Sequence, residues 1–364
     1  MDTPKAPGLD TDLGHRCSRT AFAWAARTFS HREGRWGSVV SDVPGSFCNL
    51  VSYGNVSIGI TSDGIGTKVE IAERTGVYET LGHDLVAMVT DDLVANGVEP
   101  ANLSNILDVD RLDHEIVERL MRGLYEAARM ARVSVTGGEI AELGQRIGGY
   151  GQGMHFNWCA TAVGFLPDGR VPITGTAVRP DDRIIALYSP GFRSNGFSLA
   201  RRILSAKFGD DWHRVPFQED ETWGQALLTP SVIYAPVIVD LLATGIPIHG
   251  MVHVTGGGVP DNLGRILRPN GLGARLTDLF PAHPAILRLQ EYGDLDEKDA
   301  YRQWNMANGF LVVVPCEKEQ ESVEWLTGQG VEARLAGVVT DSPPIVIESH
   351  GRCPKTLTYE KTGK

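Results

Sequence analysis

The run Asp63-Gly64-Ile65-Gly66-Thr67-Lys68 has the residue types that a phosphate-handling turn needs. Its glycines let the backbone approach a ligand and take positive φ, which frees N–H groups for phosphate oxygens. Lys68 adds a point charge for phosphate, and Asp63 a hard oxygen for a Mg²⁺ ion bridging phosphate groups. An ordinary surface turn uses the same residues, and the order of a Walker loop is absent. Asp91 and Asp92, with Asp84 seven positions before Asp91, stand among Val, Leu and Ala. Carboxylates in such a setting are costly unless paired, hydrated or metal-bound. Neighbouring side chains on a helix point about 100° apart, so one of the two faces a site. Mg²⁺ takes one or two carboxylates beside substrate phosphates, so Asp63 and Asp92 suffice for it. A helix cap or a solvated face is the plainer alternative.

Three further segments carry the same kind of chemistry. Thr136-Gly137-Gly138-Glu139-Ile140-Ala141-Glu142 places two carboxylates three apart. On a helix these share a face, and Glu139 and Glu142 could serve as metal ligand and base. Equally, Glu139 could be a first-turn residue favoured by the helix dipole. Ser194-Asn195-Gly196, and Thr255-Gly256-Gly257-Gly258 just after His253, read as anion sites at helix N-termini. A lone histidine such as His253 is more often a satisfied structural residue.

Such residues need strands that end at the glycine turns and helices that start from them. Residues 56–61 alternate as a half-buried strand and run into the Asp63 turn. Residues 81–96 and 112–132 have helical apolar spacing, and 133–135 form a short strand that Thr136–Glu139 follows at once. A strand over 158–166 stops at Pro167-Asp168-Gly169. The second half predicts strands at 183–188, 250–254, 308–315 and 332–339, and helices at 197–206, 234–243 and 318–328. In the first 50 residues only a helical turn or two, within 21–29, is expected. Alternating strands and helices in both halves imply two α/β or α+β domains, over residues 1–170 and 171–345. The tail, 346–364, reads as polar and peripheral.

Composition narrows the function classes. With 34 Lys and Arg against 45 Asp and Glu, the formal net charge is −11. Without a basic stripe the chain is a poor nucleic-acid binder, since that needs clustered cations to displace counterions. A phosphorylated small molecule remains open to it, because metal ions and backbone N–H groups act locally. The five cysteines are scattered and form no CxxC pair, so neither a disulfide framework nor a zinc cluster is indicated. No apolar run approaches the ~18–20 residues that span a bilayer, and the start lacks the pattern of a secretory signal. The expectation is a cytoplasmic protein with no membrane partner.

Taken in order, the segments resemble the aminoimidazole ribonucleotide synthetase, or phosphoribosylformylglycinamidine cyclo-ligase, family. The matching runs include Gly8-Leu9-Asp10-x-Asp12-x-Gly14, the Asp63–Lys68 turn, Gly82-His83-Asp84, Asp92-Leu93 and Gly137-Gly138-Glu139. They continue through Ser194-Asn195-Gly196-Phe197, Leu228-Thr229-Pro230, His253-x-Thr255-Gly256-Gly257-Gly258 and Tyr301-Arg302-x-x-Asn305. The resemblance implies a two-domain fold whose N-terminal domain binds ATP and Mg²⁺ and forms a barrel across a homodimer interface. It implies an ATP-dependent ligase that closes the imidazole ring of formylglycinamidine ribonucleotide, releasing ADP and phosphate, in purine biosynthesis. It implies that Asp63, Gly64, Gly66, Thr67, Asp92, Gly137 and Gly138 hold ATP, with Asp63, Asp92 and Glu139 as metal ligands. Ser194, Asn195, Gly196, Thr255, Gly256 and Gly257 would hold the phosphorylated substrate, and Glu139, Lys68, Arg193 and His253 would act in catalysis. Two departures stand out: Arg193 replaces the family's His before Ser-Asn-Gly, and Thr90-Asp91-Asp92 replaces Val-Asn-Asp. A guanidinium binds phosphate but exchanges no proton near neutral pH. An ATP-dependent relative acting on a different amide or phosphorylated substrate, or a non-catalytic nucleotide-binding paralogue, is therefore the alternative.

Overall fold

The computed structural model describes residues 11–40, 45–167 and 169–360. Gly8, Leu9, Asp10 and Asp168 lie outside the described residues. The N-terminal half runs α1 (Thr11–Ala26), β1 (Ser38–Val39), β2 (Asn49–Tyr53), β3 (Val56–Gly64), α2 (Val69–Thr75) and α3 (Leu81–Ala95). It continues with β4 (Glu99–Val109), α4 (His114–Ala131), β5 (Ser134–Glu142) and β6 (Phe156–Leu166). The C-terminal half contains β7 (Arg183–Tyr188), α5 (Phe197–Phe208), β8 (Pro216–Gln218), β9 (Glu221–Thr222), α6 (Trp223–Leu227) and α7 (Ala235–Ala243). Then come β10 (Gly250–His253), α8 (Gly258–Leu267), β11 (Gly273–Leu276), α9 (Pro284–Tyr292), α10 (Glu297–Gln303) and β12 (Asn308–Val314). It closes with α11 (Glu319–Gly328), β13 (Ala333–Thr340), β14 (Ile345–Glu348) and β15 (Thr356–Tyr359). Each half builds its own sheet, ordered β1-β2-β3-β6-β4-β5 and β10-β12-β7-β13-β11-β14-β15. This is a mixed α+β, two-domain arrangement. Within the described residues of one chain the first sheet stays open and does not close into a barrel.

Helix α3 is the spine between the two halves. Thirteen of its fifteen residues are buried, because it packs on β3 and β6 on one side and on α7 and β10 on the other. A helix apolar all round belongs inside a protein. Helix α4 shows the complementary pattern, with Ile116, Leu120, Leu124, Ala127 and Ala131 turned inward. Asp113 caps it by accepting from the Glu115 and Ile116 N–H groups.

Three expectations need correction. The N-terminal segment forms a sixteen-residue helix, α1, rather than a turn or two. Strand β5 does not stop at residue 135: it pairs in parallel with β4 as far as Glu142, so Thr136–Glu142 is strand and not the start of a helix. In a strand, residues three apart point to opposite faces, so Glu139 and Glu142 do not share one. The tail is not peripheral either. Ile345, Ile347, Leu357 and Tyr359 are buried, and β14 and β15 extend the second sheet. The alternations Ile-Val-Ile-Glu and Thr-Leu-Thr-Tyr supply the period of two that a half-buried strand needs.

Candidate active site

Strand β3 delivers Asp63 at its last turn of alternation, and α3 delivers Asp92 beside it. Register places Thr61 opposite Ala162 and Asp63 opposite Ala160, on the face that packs against α3. Thr61 Oγ1 donates to Asp92 Oδ2 at 3.3 Å, which ties the strand to the helix at this point. Burial pushes the Asp63 carboxyl up to about 6; its Gly64 N–H bond opposes this and the Asp92 charge adds to it. Burial likewise pushes Asp92 up to about 7, against the pull of Arg265 and the Thr61 hydrogen bond. The two carboxylates thus lie close enough for the Asp92 charge to act on Asp63.

Loops from the second domain close round this pair. Thr67 Oγ1 lies 3.1 Å from Ser198 Oγ, joining the Asp63 turn to the first turn of α5. Gly196, at φ 80°, caps α5, and a Cβ there would meet the Trp304 indole at 2.4 Å. Gly257, at φ 91°, caps α8, so both glycine runs sit at helix N-termini, where backbone N–H groups are free to bind anions. The Asn195 side chain lies next to Gly256. Ser194 Oγ and Asn195 Nδ2 are buried with no hydrogen-bond partner among the described residues. Unpaired polar atoms of this kind need a ligand or ordered water. The Asp63 turn, Asp92, Ser194–Gly196 and Thr255–Gly257 are therefore gathered in one place.

Arg193 and His253 are gathered there too, but behind the carboxylates. Arg193 is 1% exposed and His253 fully buried. Arg193 Nη2 donates to Asp91 Oδ2 at 2.7 Å and lies 2.8 Å from His253 Nε2, while Nη1 donates to the Val232 carbonyl at 2.9 Å. His253 Nδ1 lies 2.8 Å from Asp92 Oδ1. Burial, with Arg193 beside it, pushes His253 down to about 3, so the ring is neutral. Neither side chain faces open space. Two of the positions at which the chain departs from the family pattern, 91 and 193, are partners in one ion pair.

Lys68 is likewise withdrawn. Its ammonium is fully buried, touches both Asp84 oxygens at 2.8 Å and donates to the Thr229 carbonyl at 2.8 Å. Asp84 also accepts from the Ser231 N–H at 3.1 Å. Asp84 Oδ1 and the Thr229 carbonyl take two of the three Lys68 protons, and the ammonium is closed off from solvent.

Glu139 is held apart. It pairs with Ile106, which pairs with Cys159, on the face of the sheet opposite Asp63. Gly137 and Gly138 lie with it in β5, a strand exposed along almost its whole length. Among the described residues no three His, Cys, Asp or Glu side chains form a metal cluster, so Asp63, Asp92 and Glu139 are not one set within a chain.

Three contributors had no role assigned from sequence, although Asn305 stood in a matching run. Asn262 Nδ2 donates to the carbonyls of Thr255, Gly256 and Gly258, which fixes the glycine loop. Asn305 Nδ2 donates to the Gly191 carbonyl at 2.8 Å, which fixes the loop leading to Arg193. Arg265 lines a cleft of 590 Å³ with Phe22, Phe47 and Cys48, packs over the Phe47 ring at 4.1 Å, and donates to the Ser46 carbonyl. Asn262 and Arg265 fall one and two turns into the helix that follows the glycine run, and that spacing was the available signal.

The chain matches the N-terminal domain of AIR synthase related proteins over residues 48–166 and their C-terminal domain over 179–349. It is 34% identical over 351 residues to a phosphoribosylformylglycinamidine cyclo-ligase of Thermococcus kodakarensis, covering 96% of this chain and 99% of that one. To the protein of the same name from Methanothermobacter thermautotrophicus it is 37% identical over 345 residues, covering 94% and 95%. In fold it is similar to thiamine-monophosphate kinase from Stenotrophomonas maltophilia, with TM-score 0.60, 17% identity and coverage of 89% and 96%. Hydrogenase maturation protein HypE in complex with ATP gives TM-score 0.57 and 18% identity, covering 86% and 87%. Sequence similarity along both domains, rather than the shared fold, decides the assignment: the chain belongs to the AIR synthase related protein family.

Proposed function

We propose that the chain is an ATP-dependent phosphoribosylformylglycinamidine cyclo-ligase, forming aminoimidazole ribonucleotide from formylglycinamidine ribonucleotide in purine biosynthesis. Its curated relatives along almost the whole length carry that name. The observation that carries the reading is the juxtaposition of the Asp63 and Asp92 carboxylates with the unpaired Ser194 hydroxyl and Asn195 amide. Hard oxygens beside free donors suit a metal-bound polyphosphate and its polar acceptor. Asp63 and Asp92 would hold Mg²⁺, with the phosphates completing its shell. ATP supplies the phosphoryl group that makes the formyl oxygen a leaving group.

The chain's own residues then bind and orient. N–H groups of Gly66, Gly256 and Gly257, with Thr67 and Asn195, hold anionic oxygens. Arg265, facing the cleft, supplies the cation that the buried Lys68 and Arg193 do not. Such a site works by positioning and charge neutralisation more than by covalent catalysis. Because Arg193 does not face the ligand space, its presence gives no reason for a different acceptor. The protein would act in the cytoplasm as a homodimer, covering the open face of the first sheet and bringing Glu139 to the subunit interface.

The test is phosphate release from ATP with Mg²⁺ and formylglycinamidine ribonucleotide, the aminoimidazole product being followed in parallel. One product per phosphate is expected, and Asp63→Asn should lower the rate by about 100-fold, as loss of a main electrostatic stabiliser does. Phosphate release without product would refute the acceptor.

A further inference from the structure

The buried side chains behind Asp92 form one directed chain of hydrogen bonds. A guanidinium carries donors only. Arg193 Nη2, 2.8 Å from His253 Nε2, therefore requires that nitrogen to accept. A neutral imidazole that accepts at Nε2 carries its proton on Nδ1. That proton is then donated to Asp92 Oδ1 at 2.8 Å. An imidazolium would turn an Nε2–H against the guanidinium N–H groups, so the contact excludes it. The ring lies at 27° to that of Phe310, with centroids 6.4 Å apart. Arg193 is in turn held by Asp91 Oδ2, while Asp91 Oδ1 accepts from the Tyr234 and Ala235 N–H groups at the start of α7.

We propose that Asp91 and Arg193 are positioning residues: their buried ion pair sets His253 as the Nδ1–H tautomer, and His253 thereby orients the Asp92 carboxylate toward the ligand space. The proposal rests on the reading of Asp92 as a Mg–ATP ligand. Neither residue touches the ligand; both act through the imidazole. A partner that orients a metal-binding group typically accounts for about 10–100-fold in affinity or activity.

Selective ¹⁵N labelling of the histidine side chains reads the tautomer directly in protein free of metal and nucleotide. The wild-type spectrum should show His253 protonated at Nδ1; protonation at Nε2 overturns the proposal without any variant. The double variant D91N/R193M removes both charges, keeps an acceptor for the α7 N–H groups and leaves His253 Nε2 without an obligatory donor. Its thermal midpoint should stay near the wild-type value, since no unpaired charge is left behind. Its His253 signal should become a mixture of tautomers, and the Mg–ATP dissociation constant by calorimetry should rise about tenfold. A wild-type tautomer and wild-type affinity in the folded double variant overturn the proposal, as does a mixed tautomer with unchanged affinity. A wild-type protein that shows the Nδ1–H form but makes no aminoimidazole refutes the cyclo-ligase reading and leaves the tautomer assignment standing.

Discussion

Asp84 and Asp91 sit two helical turns apart on one face of α3, and each meets a cation brought from elsewhere in the chain. Lys68 comes from the turn after β3 and Arg193 from the loop after β7. Both carboxylates also hold backbone N–H groups of the 231–235 segment, so the ion pairs clamp that segment to the spine helix. Removing one member of such a pair leaves an uncompensated charge in the interior. Lys68→Met is therefore expected to lower stability by ~3–5 kcal/mol, and Lys68→Met with Asp84→Leu to recover much of it. Denaturant midpoints by tryptophan fluorescence check both. If Lys68→Met left the midpoint unchanged while ATP affinity collapsed, the lysine would be a phosphate ligand after all. Lys68 could be named from sequence because its type and turn were visible. Its partner was not, since the pairing depends on a long-range contact that only packing creates.

At the scale of elements, α3 and α4 cross at glycines. A Cβ on Gly82 would lie 2.2 Å from the Gly123 carbonyl carbon, and one on Gly123 would lie 2.0 Å from the Glu79 carbonyl oxygen. These are backbone atoms, which no side-chain rotation relieves. Gly123→Ala should accordingly cost ~1–3 kcal/mol or more, seen as a lower thermal midpoint. The same corner carries Glu79, whose carboxylate pairs with Arg119 through Nε at 2.8 Å and Nη2 at 3.0 Å. Those hydrogen bonds pull Glu79 down to about 2. A depressed carboxyl stabilises the fold fully above its unfolded value of 4.5, and that contribution drains away as pH falls toward 2. The pair is partly exposed and screened, so Glu79→Gln should cost at most ~1 kcal/mol at pH 7. The gap between variant and wild type should shrink at pH 3; a gap that widens would mean the sign is wrong. Helices such as α3 and α4 were legible because apolar spacing over fifteen or more residues has one interpretation. Strand β5 was not, because Val133-Ser134-Val135 ends in Thr-Gly-Gly, which reads as a turn until β4 supplies its pairing. The tail failed for the reverse reason: two four-residue strands are too short for alternation to stand out among polar neighbours.

For the whole molecule the open question is what covers the first sheet. Along β3, β6 and β4 the residues turned away from α3 are Ile58, Ile60, Ser62, Thr161, Val163, Phe165, Ser104 and Ile106, paired across the strands as Ile58 with Phe165 and Ile60 with Val163. Phe165 is 43% exposed and Ile106 48%. Strand β5 has no pairing partner on its outer edge among the described residues. Protein monomers seldom leave a contiguous apolar sheet face and a free edge together, because the edge templates pairing with another chain. A two-fold dimer uses the same patch on both copies, so one substitution strikes the interface twice. Ile106→Asp, which places a charge on that face and leaves the inner core untouched, should convert the protein to single chains. Analytical ultracentrifugation should find wild type at twice the 39.5 kDa chain mass and the variant at one chain mass, with circular dichroism unchanged. Loss of ATP turnover in the folded single chain would place part of the site across the interface, on the sheet face that Glu139 shares with Ile106. Full turnover in that variant would mean that Asp63, Asp92 and the two glycine loops suffice, and wild-type protein of one chain mass would refute the dimer itself.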